Sequence, residues 1–440
     1  MSQYRHGSYV EERATSLVTP VTAESALPVI VGAAPVHRLP EGTAAPVNEP
    51  RLIYSLPEFV SQFGAPGAGD DPAAFTLYQA AEVYLTRYNV APLVAINVFD
   101  PAKHITPGTS LGDAVASGSE RIAEGTPESG FAGSDGRVPI AAKDIIGGVD
   151  AETLQHTGLA LVEEIFPRFR LTPGQVLAPR WSSDPTVALA IGSACTDICG
   201  HFRATGIYEV ADEVTRYTDV PAWINDNNLI DPNLLCMFGH ARYGDAVEYG
   251  SIHLAGTIGA RDASLEGIPY WSPSNSKLQC EGLVHAGKPL HLGADKAAYL
   301  NGQGIVTGLN MIGGLKVWGD QTTAYPGVSD VKDSSIPIRR MFTWVGNTLI
   351  LTSWQYVSNP IRRRMVETVQ DTFDIWLNGL TGREIILGGR VTFELVDNPT
   401  TDLMSGKVRW HVYLCPPQAG RELIFILEYD PSYLSTLFGA

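Results

Sequence analysis

Cys195, Cys199 and His201 form a Cys-x3-Cys-x-His group with three soft donors in seven residues. A structural zinc site needs four ligands, usually in two spaced pairs, and no second cysteine pair exists. Cys195 and Cys199 are instead expected one turn apart on the buried face of a helix predicted over 187–202. His240, His253, His285 and His291 are scattered among predicted loops, without a His-x-x-x-His pair to chelate a metal. Asn301-Gly302-Gln303-Gly304 with Gly308 spaces its glycines as G-x-G-x-x-x-G, not as a dinucleotide turn, and 303–314 holds no Lys-Ser/Thr for phosphate and metal. It reads as a bent glycine-rich loop. Ser193 lacks the glycine flanks of a nucleophile elbow. No acid, base and nucleophile assemble, so neither catalysis nor a cofactor nor a metal is expected. The competing class is a cytoplasmic α/β enzyme with an acidic surface and a small-molecule pocket.

What remains is a recognition feature, the triplet Arg362-Arg363-Arg364. Asn359 can cap a helix and Pro360 suits its first position, so a helix is predicted to start here. Ile361, Met365, Val369, Phe373, Trp376 and Leu380 recur in steps of three and four, and Asn378-Gly379 offers a left-handed stop. Three arginines in the first turn oppose the positive end of the helix dipole, and an acidic group should compensate. A run of charge is ordinarily a solvated face. The sharper reading is docking onto an acidic protein surface through Arg–carboxylate contacts.

Strand-like runs follow that helix. Val391, Phe393 and Leu395 alternate with polar residues, as do Val408, Trp410, Val412 and Leu414, while Leu423-Ile424-Phe425-Ile426-Leu427 is solidly apolar. Pro416-Pro417-Gln418-Ala419-Gly420 disfavours a tight hairpin before the third run. An extended apolar segment on a stiff tether suits addition to the sheet edge of another subunit. Residues 1–25 read as an extended arm, either disordered or docked elsewhere as a strand. Between the ends, 26–100 and 145–334 alternate strand and helix as an α/β region, with Pro28–Gly32, Leu93–Phe99, Gln175–Ala178 and Gly206–Val210 as strands and a helix-like face over 147–169. The stretch 101–144 is rich in Gly, Ser, Asp and Pro and reads as an inserted β-rich module. Residues 335–417 form a C-terminal domain and 418–440 a C-terminal arm.

A chain of 440 residues suggests two to four domains. Hydrophobic residues make up 44% and charged residues 18%, low enough for surface to be buried between subunits. No run approaches the ~18 apolar residues of a membrane span, and the N-terminus lacks the order of a signal peptide, so cytoplasmic synthesis and no membrane partner are expected. Five cysteines without regular spacing fit a reducing compartment. The net charge is −16, yet Ser335 to Ala440 carries ten basic and ten acidic residues, leaving 21 against 37 for the first 334. The acidic coat argues against nucleic-acid binding, and the neutral C-terminal region carries the basic spot.

Tyr4-Arg5-His6-Gly7-Ser8-Tyr9-Val10-Glu11-Glu12, Leu27-Pro28-Val29-Ile30-Val31-Gly32-Ala33-Ala34-Pro35-Val36-His37, Leu93-Val94-Ala95-Ile96-Asn97-Val98-Phe99-Asp100 and the C-terminal helix and strands, in this order, resemble the tail sheath proteins of contractile-tailed bacteriophages of the P2-like and Mu-like type. The likeness covers the first and last hundred residues well and the middle loosely. It implies an α+β multidomain subunit whose inner domain is formed by both chain ends, with inserted outer α/β and β-rich domains. It implies stacked hexameric rings around a tail tube, with Tyr9, Val10 and Glu11 (to Glu12) and Leu423, Ile424, Phe425, Ile426 and Leu427 (to Glu428) as strands exchanged between subunits. It also implies tube contact through Arg362, Arg363 and Arg364. The implied partners are the chain itself, the tail tube protein, and baseplate and terminator proteins, in a virion tail assembled in the host cytoplasm. A phage-tail-like bacteriocin particle would use the same subunit.

Overall fold

Two stretches, Pro28–Gly32 and Leu93–Asn97, are buried at every position, the mark of strands covered on both faces. In the computed structural model, which describes residues 20–40, 42–67, 74–104, 140–151 and 154–438, they lie side by side in an eight-stranded sheet. Its spatial order is Gly314–Trp318, Ile305–Met311, Leu234–Met237, Thr205–Glu209, Gln175–Leu177, Pro28–Gly32, Leu93–Asn97 and Arg51–Ile53. The six inner strands run parallel, and the two edge strands are antiparallel to their neighbours. Helices pack on this sheet. Ser55 caps Leu56–Phe63 by accepting the Glu58 N–H, with Pro57 in the first turn. The Gly250–Ala263 helix is buried along most of its length. A four-stranded antiparallel sheet, in the order Ala246–Glu248, His240–Tyr243, Gly282–His285 and Lys288–Pro289, lies beyond the central strands.

Two predicted helices are shorter or different. The segment predicted as one helix over 187–202 is helical only over Pro185–Ala194, and Cys199 sits beyond it at φ 54 with its thiol donating to the Glu163 carbonyl at 2.6 Å. Cys195 is buried, but the two cysteines share no helix face. The helix-like spacing over 147–169 is split into two short paired strands, a 3-10 segment Gly158–Glu164 and the helix Ile165–Phe169. The reason is local: Gly158 has φ 58, and a Cβ there would lie 2.4 Å from the Ile145 carbonyl. The module predicted at 101–144 falls largely outside the described residues.

A second hydrophobic cluster is separate from the one around the central sheet. It gathers Met341, Trp344 and Val345 from the helix Ile336–Ser353 with Val369, Phe373, Leu377 and Leu380, and takes in Ala23 from the N-terminal segment. Residues 21–25 lie along the Ile336–Ser353 helix. The Val21 and Ala23 N–H groups donate to Thr352 and Thr348 hydroxyls at 2.9 and 3.1 Å, and the Trp344 indole donates to the Ala23 carbonyl at 2.9 Å. Arg340, fully buried, donates to the Ser25 carbonyl at 3.1 Å and pairs with Asp262, which also accepts from the Ser25 hydroxyl at 2.6 Å. A buried ion pair is tolerable only with its hydrogen bonds satisfied, as here. The start of the described chain is thereby fastened to its C-terminal third.

Candidate assembly interface

The arginine-bearing helix runs Arg363–Gly382, three residues later than predicted, with Arg362 at its N-cap. Asn359 does not cap it: its side-chain amide donates to the Gln355 carbonyl at 3.0 Å and closes the preceding turn, beside Ser358 at φ 66. The helix also passes Gly379, because Leu380 is buried and continues the apolar stripe. That stripe otherwise stands as read, with Val369, Phe373 and Leu380 buried and Met365 and Trp376 half-buried, whereas Ile361 is exposed. Arg363 reaches into solvent and pairs with Glu367 at 2.7 Å, one turn on. Arg362 and Arg364 are exposed and form no ion pair among the described residues. Among the described residues one of the three cations is compensated, and two face outward at the positive end of the dipole.

The C-terminal strands pair differently from one another. Gly388–Thr392 and His411–Cys415 form a two-stranded antiparallel sheet with Val391 opposite Val412. Leu395 falls in a short 3-10 turn rather than in the strand. Among the described residues Leu423 to Leu427 join no sheet: their exposures are 78, 73, 84, 80 and 95%. Five consecutive apolar residues held in water carry a standing hydrophobic penalty, of order 1 kcal/mol or more each relative to burial. Arg421 anchors the root of this segment on Asp320 at 2.8 Å. Tyr9, Val10, Glu11 and Glu12 lie outside the described residues.

An apolar groove of about 400 Å³ runs between the Ile336–Ser353 helix, the Arg363–Gly382 helix and the two-stranded sheet, lined by Leu349, Met365, Val369, Phe373, Trp410 and Val412 among others. The Tyr356 hydroxyl and the Trp410 indole N–H are buried at this groove without a hydrogen-bond partner among the described residues. A two-stranded ribbon is marginal alone, so this sheet and groove form an unfinished surface.

Sequence reasoning missed one cluster. His240 and His285, read as scattered loop residues, meet on adjacent strands beside Asp212. The His240 imidazole next to it holds the Asp212 carboxyl down at about 2. No local spacing could have signalled this, because the three residues come from separate elements.

No family model matches the chain. Over 496 aligned positions, covering all of it and 99% of the relative, it is 24% identical to a tail sheath protein of Burkholderia phage BcepMu. The helical sheath of the anti-feeding prophage in its contracted state has the same fold, with a TM-score of 0.65 and 15% identity over 96% of this chain and 99% of that one. The PVC extracellular contractile injection system sheath, also contracted, matches with a TM-score of 0.63 and 13% identity over 98% and 99%. Both in sequence along its whole length and in fold, the chain is similar to the tail sheath proteins of contractile tails.

Proposed function

We propose that the chain is the structural subunit of a contractile phage tail sheath, polymerising as stacked hexameric rings around a tail tube and shortening to drive that tube through the host envelope. The observation that carries this reading is the exposed run Leu423–Leu427, in a chain that also holds an unfinished two-stranded sheet. Adding that run to the sheet edge of a neighbouring copy would cover apolar surface and use free main-chain groups on both sides. The N-terminal arm through Tyr9, Val10 and Glu11 is the complementary strand. Its root at residues 21–25 is already fixed to the Ile336–Ser353 helix, which supports an inner domain made by both chain ends. Exchanged strands would keep subunits linked while they move, and the work would come from surface buried on going from a metastable extended polymer to a contracted one, without nucleotide. The exposed Arg362, Arg363 and Arg364 would dock on the tube, and baseplate and terminator proteins would hold the ends.

The test is sedimentation velocity on the full chain and on a chain lacking 418–440. The full chain should form large, concentration-dependent polymers, and the truncated one should remain a folded monomer. Polymers of undiminished size from the truncated chain would overturn the strand-exchange reading.

A further inference from the structure

We propose that Asp212, His240 and His285 form a binding site for one divalent transition ion of the zinc class. Asp212 follows the carboxyl end of the strand Thr205–Glu209, and His240 follows that of its neighbour Leu234–Met237, the edge at which parallel sheets present their loops to ligands. Gly239, at φ 96, makes the turn that leads into His240. His285 ends the strand Gly282–His285, whose pairing sets Val284 opposite His240. Three donors from three elements thus converge, with their ligand atoms all within 4.8 Å of one another.

The distances suit a metal. His240 Nε2 and His285 Nδ1 lie 3.5 and 3.6 Å from Asp212 Oδ1. Ligand atoms around tetrahedral zinc, with bonds of about 2.0–2.1 Å, stand about 3.3 Å apart, so the two contacts with Asp212 need little closing, while the two imidazole nitrogens lie within 4.8 Å of each other. The protonation of His285 is also set for ligation. Its Nε2–H donates to the Val214 carbonyl at 2.8 Å, which leaves the lone pair on Nδ1. That nitrogen is buried without a hydrogen-bond partner among the described residues, and the side chain is 3% exposed. An imidazole whose far nitrogen is tied to a backbone carbonyl is the usual arrangement of a metal-bound histidine. Nδ1 and Asp212 Oδ1 therefore face each other as two acceptors, a contact that a cation between them turns from repulsive to attractive.

Asp212 Oδ1 is further held by the Ala286 N–H at 3.0 Å. His240 Nδ1 accepts a long bond, 3.4 Å, from the Gly250 N–H, so its Nε2 carries the proton and faces Asp212; ligation through Nε2 moves that proton to Nδ1 and gives up the weak Gly250 bond. The Asp212 side chain is 58% exposed, so the fourth coordination position opens to water. Imidazole and carboxylate without thiolate fit zinc, cobalt or nickel rather than a hard cation. The ion would pin the loop after Glu209 to the four-stranded sheet.

The experiment is calorimetric titration of the chelator-stripped full-length chain with Zn²⁺, with metal analysis after desalting, on wild type, Asp212→Asn and His285→Gln. One zinc per chain is expected for wild type, with affinity falling at least tenfold in each variant, and with a zinc-dependent rise in melting temperature that Asp212→Asn abolishes. Asp212 is a surface group, so that variant keeps the test decisive even if the buried histidine replacement fails to fold. Absence of stoichiometric binding in wild type, or wild-type affinity in Asp212→Asn, overturns the proposal.

Discussion

Arg362, Arg363 and Arg364 differ in what they can give a partner. Arg363 already pairs with Glu367, while Arg362 and Arg364 are left to solvent. Reversing all three with Glu adds acid to the positive end of the helix dipole, which favours the helix itself, so the fold should survive. Self-association should be unchanged, whereas co-assembly with tube protein should drop at least about tenfold, since opposed charges at an interface are costly. Pelleting with and without tube protein checks this, and normal co-assembly would remove the docking role. The triplet was visible in the sequence because charge needs no fold to be counted. The compensating acid that the sequence called for is Glu367, one turn on, but the capping role read for Asn359 fails, because its side-chain amide donates to the Gln355 carbonyl instead.

Between elements, the least legible feature is a buried polar junction. Glu248 joins Arg87 at the end of the π-helical turn Val83–Arg87 to His253 of the Gly250–Ala263 helix, His253 Nε2 lying 2.9 Å from Glu248 and Nδ1 3.0 Å from the Tyr88 hydroxyl. Burial drives the His253 pKa below its ordinary value, against the pull of Glu248. Glu248 is held low despite burial, by His253 and Arg87. For both groups the unfolded chain takes up protons first as pH falls, so stability is lost from about pH 6.5 downward. The melting temperature should fall between pH 7.5 and 5.5 on account of His253. His253→Gln should flatten that part of the profile; an identical pH slope in the variant would contradict the assignment. Nothing in the spacing of these residues announces the junction. The period-3.6 pattern did announce most of Arg363–Gly382, whereas the period-2 patterns overlap the observed strands only in part, at Val391 and Thr392 of Gly388–Thr392 and from His411 to Leu414 of His411–Cys415. They failed over 147–169, where the conformational demand at Gly158 overrides apolar spacing.

At the level of the whole molecule, the chain is built in two parts with opposite relations to water. The central sheet buries its inner strands Pro28–Gly32, Leu93–Asn97, Gln175–Leu177, Thr205–Glu209 and Leu234–Met237 at every position. The C-terminal part has a two-stranded sheet, an apolar groove with unsatisfied Tyr356 and Trp410 groups, and a hydrophobic segment in solvent. The sequence disclosed the first part through strand–helix alternation and the second through the prolines ahead of Leu423. It could not disclose the docking of residues 21–25 on the Ile336–Ser353 helix, since that rests on contacts more than 300 residues apart. A protein whose surface is unfinished in this way should complete it with copies of itself. Negative-stain electron microscopy of the purified chain, at high and low concentration and with no ligand, examines that expectation. Hollow, striated tubes of uniform width are predicted; compact particles of one fixed size at every concentration, unchanged by added tube protein, would contradict a sheath subunit.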